Sequence, residues 1–186
     1  MRFLAISGSL RSLSTNTSLL RALTMLAPPE LEIVIYEELD QIPPFNPDKE
    51  EDNSSGPVAR FRTALQEADA VLFSTPEYAH GVPGTLKNAL DWVVGSGELS
   101  GKPVAMVNAS SRGTYAQASL KEILTTMDAR LLHAAEVTVH VLGKNTTPAE
   151  IAATPESSST LTKSLQSVVN ICAREKTERH QTAVHG

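Results

Sequence analysis

The sequence predicts an α/β fold: a five-stranded parallel sheet in the order 2-1-3-4-5, layered between helices on both faces. Three observations predict it. Short apolar runs alternate along the chain with stretches whose apolar residues recur at helical spacing. Most of the runs are apolar throughout, as strands covered on both faces must be. Each pair of runs is separated by enough chain for a helical crossover, which parallel neighbours require.

Phe3-Leu4-Ala5-Ile6 forms the first strand and stops at Ser7-Gly8. Leu19, Leu20, Leu23 and Leu26 then mark a helix, which Pro28-Pro29 closes because proline lacks the amide a helix needs. Leu31 to Tyr36 reads as the second strand. From Glu37 to Gly56 the composition turns to Pro, Asp, Glu, Asn and Ser, and a long exposed connection is expected. Val58, Phe61 and Leu65 open the next helix, and Ala70-Val71-Leu72-Phe73 is the third strand. Pro83-Gly84 starts a helix striped by Leu86, Ala89, Leu90 and Val93. Pro103 to Val107 is the fourth strand, followed by a helix carrying Leu120, Ile123, Leu124 and Met127.

The fifth strand, Glu136 to Leu142, alternates Val137, Val139 and Val141 with Glu136, Thr138 and His140, the pattern of an edge strand wetted on one side. Thr147-Pro148-Ala149-Glu150 has the form of a capping box with proline at the first helical position. Leu161, Leu165, Val168, Val169 and Cys172 form the final helix. From Arg174 the chain is charged and polar, so residues 1–173 are expected to be one domain and 174–186 a disordered tail.

In sheets of this order, ligands lie beyond the carboxyl ends of the strands, where strand order reverses. The loops after strands one, three and four meet there, and they are the compositionally unusual ones. In the first, Ser9, Ser14, Thr15 and Asn16 supply hydrogen-bond donors and Arg11 a planar cationic fork, at a helix start whose free amides attract anions. No Lys-Ser/Thr follows a second glycine, which argues against a P-loop, and Gly8 alone does not make a dinucleotide fingerprint. A hydroxyl-lined loop suits a terminal phosphate monoester; the alternative is a Ser/Thr-rich helix cap with an incidental arginine. In the second loop, Pro76 and Pro83 hold backbone groups in place for the edge of a flat ring, with Tyr78 as an aromatic surface and Gly81 and Gly113 permitting close approach. The alternative there is a rigid turn with Tyr78 plugging the core edge.

Gly8-Ser9-Leu10-Arg11, Ser14 and Asn16, taken with Pro76-Glu77-Tyr78 and the run Val82 to Trp92, resemble the NADPH-dependent FMN reductase family. The resemblance implies a flavodoxin-like fold, FMN as cofactor, NAD(P)H as co-substrate and a small electron acceptor such as a quinone, azo compound, metal oxyanion or free flavin. It puts Ser9, Arg11, Ser14, Thr15 and Asn16 at the FMN phosphate. Pro76, Glu77, Tyr78, Ala79 and His80 would line the isoalloxazine, with Ser110 and Gly113 approaching from the fourth-strand loop. Ala79 stands where the family carries asparagine, so a polar contact is missing or is supplied by His80. The resemblance also implies a homodimer or homotetramer. The alternative is a flavodoxin-like FMN electron carrier without NAD(P)H turnover of its own.

The remaining features set bounds. With 16 basic and 21 acidic residues the net charge is −5, which offers neither nucleic acid nor an anionic membrane an electrostatic partner. The single cysteine excludes an internal disulfide and a cysteine-based metal site, and it reads as a buried structural thiol. No apolar stretch reaches the length of a membrane span and no signal-peptide pattern precedes the first strand, so a cytoplasmic protein is expected. No nucleophile elbow or metal cluster appears, which suits hydride chemistry carried by a cofactor.

Overall fold

Strand β1 (Arg2–Ser7) lies between β2 (Glu32–Ile35) and β3 (Ala70–Ser74), and β4 (Pro103–Asn108) continues the sheet beyond β3. All pairings are parallel. The computed structural model describes residues 1–49, 55–141, 143 and 145–184. The crossovers are α1 (Thr15–Leu26), α2 (Pro57–Glu67), α3 (Gly84–Asp91) and α4 (Thr114–Thr126), followed by α5 (Pro148–Ala153) and α6 (Pro155–Val184).

Strand alternation sends side chains to two separate cores. Phe3 and Ala5 point to one face, where Leu19, Leu20 and Leu23 of α1 meet Ile151 of α5 and Leu161, Leu165 and Val168 of α6. Leu4 and Ile6 point to the other, against Phe61 and Leu65 of α2, Leu86 and Leu90 of α3, and Leu120 and Leu124 of α4. The order and the three layers are those expected.

Three expectations are corrected. The fifth strand is split: β5 (Arg130–Leu131) pairs with the start of β4, and β6 (Val137–Thr138) pairs with its end. Between them a 3-10 turn, His133–Ala135, lifts the chain off the ladder. The carbonyl of the buried Ala135 accepts from Ser164 of α6 instead of from a strand. The turn residue Glu136 is held by Lys121 at 2.7 Å. Leu142 of the expected strand is outside the described residues.

The connection after β2 is not simply exposed. Leu39 and Ile42 are buried, and Phe45 packs edge-on against Trp92 at 5.0 Å, whose indole N–H donates to the Pro43 carbonyl at 2.8 Å. Residues 50–54 of this connection fall outside the described residues.

The helix α6 runs through the stretch expected to be a disordered tail, as far as Val184. That stretch contains no glycine or proline before Gly186, and its first turn is tied to the sheet base by Arg130–Glu175 and by Lys176–Asp69 at 2.8 Å. Burial opposes ionisation of Asp69, but hydrogen bonds from Lys176 and the Arg2 amide outweigh it and hold this carboxyl below its usual range. At the same end Lys102 donates to the carbonyls of Leu65 (2.7 Å) and Ala68 (2.8 Å), closing the C-terminus of α2 with a cation. Among the described residues no helix is long and apolar enough to cross a membrane.

Cys172 sits on the buried face of α6, and burial first, then the charges of Glu175 and Asp69, push its thiol up to about 11. It therefore stays protonated near neutrality. Iodoacetamide at pH 8 should label the native protein slowly and the urea-unfolded protein quickly, as read by mass spectrometry; equal rates would contradict this burial.

Candidate functional site

The first loop is placed by a backbone crossing. Gly8 N–H donates to the Ser74 carbonyl at 2.9 Å, carrying the β1 ladder one residue past the strand. A Cβ on Gly8 would lie 2.3 Å from Thr75 Oγ1, so only glycine lets this loop pass β3. Beyond it Ser14 caps α1, its hydroxyl accepting from Thr17 N–H at 3.4 Å, and the Thr17 hydroxyl donates to Ser7 Oγ at 2.8 Å. Ser9 Oγ accepts from the Arg11 amide at 3.4 Å and lies 3.5 Å from the Tyr78 hydroxyl. Ser74 donates to Asn16 Oδ1 at 3.0 Å, which leaves the Asn16 amide hydrogens to face outward as donors.

No acidic residue occupies the first turn of α1, and among the described residues the Arg11 guanidinium has no carboxylate partner. Free helix amides, hydroxyls and an uncommitted arginine are groups that attract and hydrogen-bond an anion.

The second loop is tied to the third. Gly113 begins α4 without a side-chain cap, and Glu77 supplies one from across the cleft floor, its Oε2 accepting from Ala116 N–H at 2.9 Å. The two chains run so close that a Cβ on Gly113 would be 3.4 Å from the Glu77 Cβ. After Glu77 the chain makes a two-residue hairpin. Tyr78 N–H donates to the Gly81 carbonyl at 3.1 Å and Gly81 N–H returns to Tyr78 at 3.0 Å. Ala79 (φ 48°) and His80 (φ 60°) form its centre, both in the left-handed region that this turn type requires and that asparagine and glycine fill more easily. The His80 ring lies flat on Tyr115 of α4, centroids 4.4 Å apart and planes 8° from parallel.

These loops enclose an open cleft of about 700 Å³ at the carboxyl ends of the strands, within the size range of small-molecule and cofactor sites. Ser9, Arg11, Ser14, Thr15 and Asn16 line one end, and Pro76, Glu77, Tyr78, Ser110 and Gly113 line the rest. Ala79 and His80 do not line it; the left-handed turn carries them to the rim. Sequence reasoning missed Gln117 of α4 and His140, Val141 and Gly143 after β6, which complete the wall. The strand order held the signal, since a fifth strand beside β4 must end at the same crevice. At the end of β4, Asn108 is 2% exposed and neither amide atom of its side chain finds a partner. Arg112 lines the cleft and, like Arg11, has no carboxylate partner among the described residues. Among the described residues the cleft thus offers two arginines without a carboxylate partner against one carboxylate, Glu77, already committed to α4. No three His, Cys, Asp or Glu side chains gather as a metal set among the described residues.

Comparison with known proteins bears on what occupies such a cleft. Residues 1–142 match the family model of the NADPH-dependent FMN reductases. An NAD(P)H-dependent FMN reductase of Pseudomonas aeruginosa is 40% identical over 144 residues, covering 75% of this chain and 77% of that protein. A quinone reductase of Escherichia coli is 33% identical over 143 residues, covering 73% and 76%. Among solved structures, the flavoenzyme NAD(P)H:(acceptor) oxidoreductase FerB from Paracoccus denitrificans superposes with a TM-score of 0.76 at 27% identity, over 93% of this chain and 97% of that one. A flavodoxin, WrbA-like protein of Agrobacterium tumefaciens shares the fold at a TM-score of 0.58 and 13% identity, over 93% and 97%.

A left-handed alanine costs about 1–2 kcal/mol relative to its ordinary backbone regions. Ala79→Gly should therefore raise unfolding stability by about 1 kcal/mol after the entropy of glycine is deducted. Urea denaturation with an unchanged m-value would report it, and an unshifted midpoint would show that the turn is unstrained.

Proposed function

Because the chain belongs to the NADPH-dependent FMN reductase family, we propose that it holds FMN in this cleft and transfers hydride from NAD(P)H to a quinone or free flavin. One observation carries the assignment of the cleft: an uncommitted arginine and an acid-free helix start stand at one end, and stiffened backbone of the second loop forms the adjoining wall. The donor set fits the cofactor. Arg11 and the first turn of α1 neutralise and orient the phosphate, and Ser9, Ser14, Thr15 and Asn16 complete its hydrogen-bond shell. Pro76, Glu77 and Tyr78 form the wall for the ring system with backbone groups that proline and the Glu77 cap hold still, and Gly113 lets the third loop approach.

When bound, FMN supplies two-electron hydride chemistry, accepting from the nicotinamide and passing on to the acceptor. The chain's own work is then to bind, orient and keep water from the reacting faces, which needs no nucleophile and no metal ligand. Arg112, which lines the cleft, would favour NADPH if it meets the 2′-phosphate, and is otherwise a surface arginine. A homodimer or homotetramer in the cytoplasm is the setting this reading carries. Leu10 and Leu13, both more than half exposed beside the first loop, are apolar surface that a second subunit would cover. An electron carrier without turnover is the competing class, and reduction kinetics separate the two.

Anaerobic NADPH should bleach the yellow FMN-loaded protein within the time of mixing by stopped flow; a protein that stays oxidised is a carrier. Arg11→Ala should weaken FMN binding about ten- to a hundredfold, since a charge-assisted hydrogen bond contributes about 1.5–3 kcal/mol. Unchanged uptake would place the phosphate elsewhere. Arg112→Ala should raise the KM for NADPH and leave that for NADH alone, and equal effects on both would remove its role in selecting the 2′-phosphate.

A further inference from the structure

Resting on the flavin reading above, we propose that the stacked His80–Tyr115 pair is a specificity-determining platform: it gives a planar quinone an aromatic surface at the mouth of the cleft. Three independent features point to it. The first is placement. His80 lies two residues beyond Tyr78 and Tyr115 two beyond Gly113, and Tyr78 and Gly113 both line the cleft. The pair therefore bridges the second and third loops at the rim, where an acceptor enters.

The second feature is exposure. Tyr115 is 59% exposed, although it lies in the first turn of a helix with a well-formed buried face at Ala116, Leu120 and Leu124. His80 is exposed as well. Each ring covers one face of the other and turns its second face outward. A phenol face is electron-rich and a quinone ring electron-poor, so offset stacking between them is favoured.

The third is cost. Two successive residues other than glycine are held in the left-handed region, a conformation that persists only when its surroundings over-determine it. The constraints are present: the paired Tyr78–Gly81 hydrogen bonds on one side, the Glu77 cap on α4, and the ring stack itself. The strain carries His80 out of the cleft and lays it on Tyr115. Core packing gains nothing from that position, whereas recognition at the rim does.

Calorimetric titration of 1,4-naphthoquinone into the FMN-loaded, oxidised protein tests the platform without turnover, because no nicotinamide is present. His80→Ala and Tyr115→Leu should each raise its Kd about five- to tenfold, and His80→Phe, which keeps a flat ring, should stay within twofold of the parent. FMN affinity should be unaltered in all three. Parental naphthoquinone affinity in both truncated variants would overturn the proposal. So would a His80→Phe protein as weak as His80→Ala, because the imidazole nitrogens and not the stack would then hold the ligand. If the parent is yellow and bleached by NADPH while the truncations are silent, the platform fails and the flavin reading stands. A parent that takes up no FMN fails the flavin reading itself.

Discussion

The approach of two backbones at Gly8 is the constraint on which the site depends. The loop leaving β1 must cross the end of β3 with Thr75 at a distance no side chain tolerates, and the Gly8–Ser74 hydrogen bond fixes the crossing. One contact thereby sets where α1 begins, and so where its free amides and Arg11 point. It also sets how far the Arg11 end of the cleft stands from Pro76 to Tyr78. A displacement there would move both ends of a bound ligand relative to each other, and orientation is most of what this kind of catalyst supplies.

A second tie joins the second loop to the third. The resemblance puts Glu77 beside the isoalloxazine. In the fold its carboxylate closes the N-terminus of α4, a helix with no cap of its own. The same side chain locks the second loop to the third.

How much of this was legible follows from where the information resides. The sheet order and the three converging loops could be read because buried strands and amphipathic helices leave periodic signals in the chain itself. The hydroxyls and arginine of the first loop stood out by composition, and they line one end of the cleft. The broken fifth strand could not, because Ala135 is pulled from the ladder by Ser164, a residue that sequence spacing does not connect to it. The helical extension past Arg174 looked like a polar tail, and it is held by charges on Asp69 and Arg130 from distant elements. The resemblance implied that Ala79 and His80 line the isoalloxazine. The sign of two φ angles, invisible in composition, turns them to the rim instead.

The division of the interior into two cores has a further consequence. The sheet is a partition: Phe3 and Leu4 are neighbours in sequence, yet they answer to different sets of helices. The layer of α1, α5 and α6 is separated from the layer of α2, α3 and α4 chiefly by the strands of the sheet. Packing changes on opposite sides should therefore combine as independent increments, to within about 0.3–0.5 kcal/mol. Such a molecule can drift in sequence on one flank without retuning the other, provided the strand ends that carry the loops stay in register.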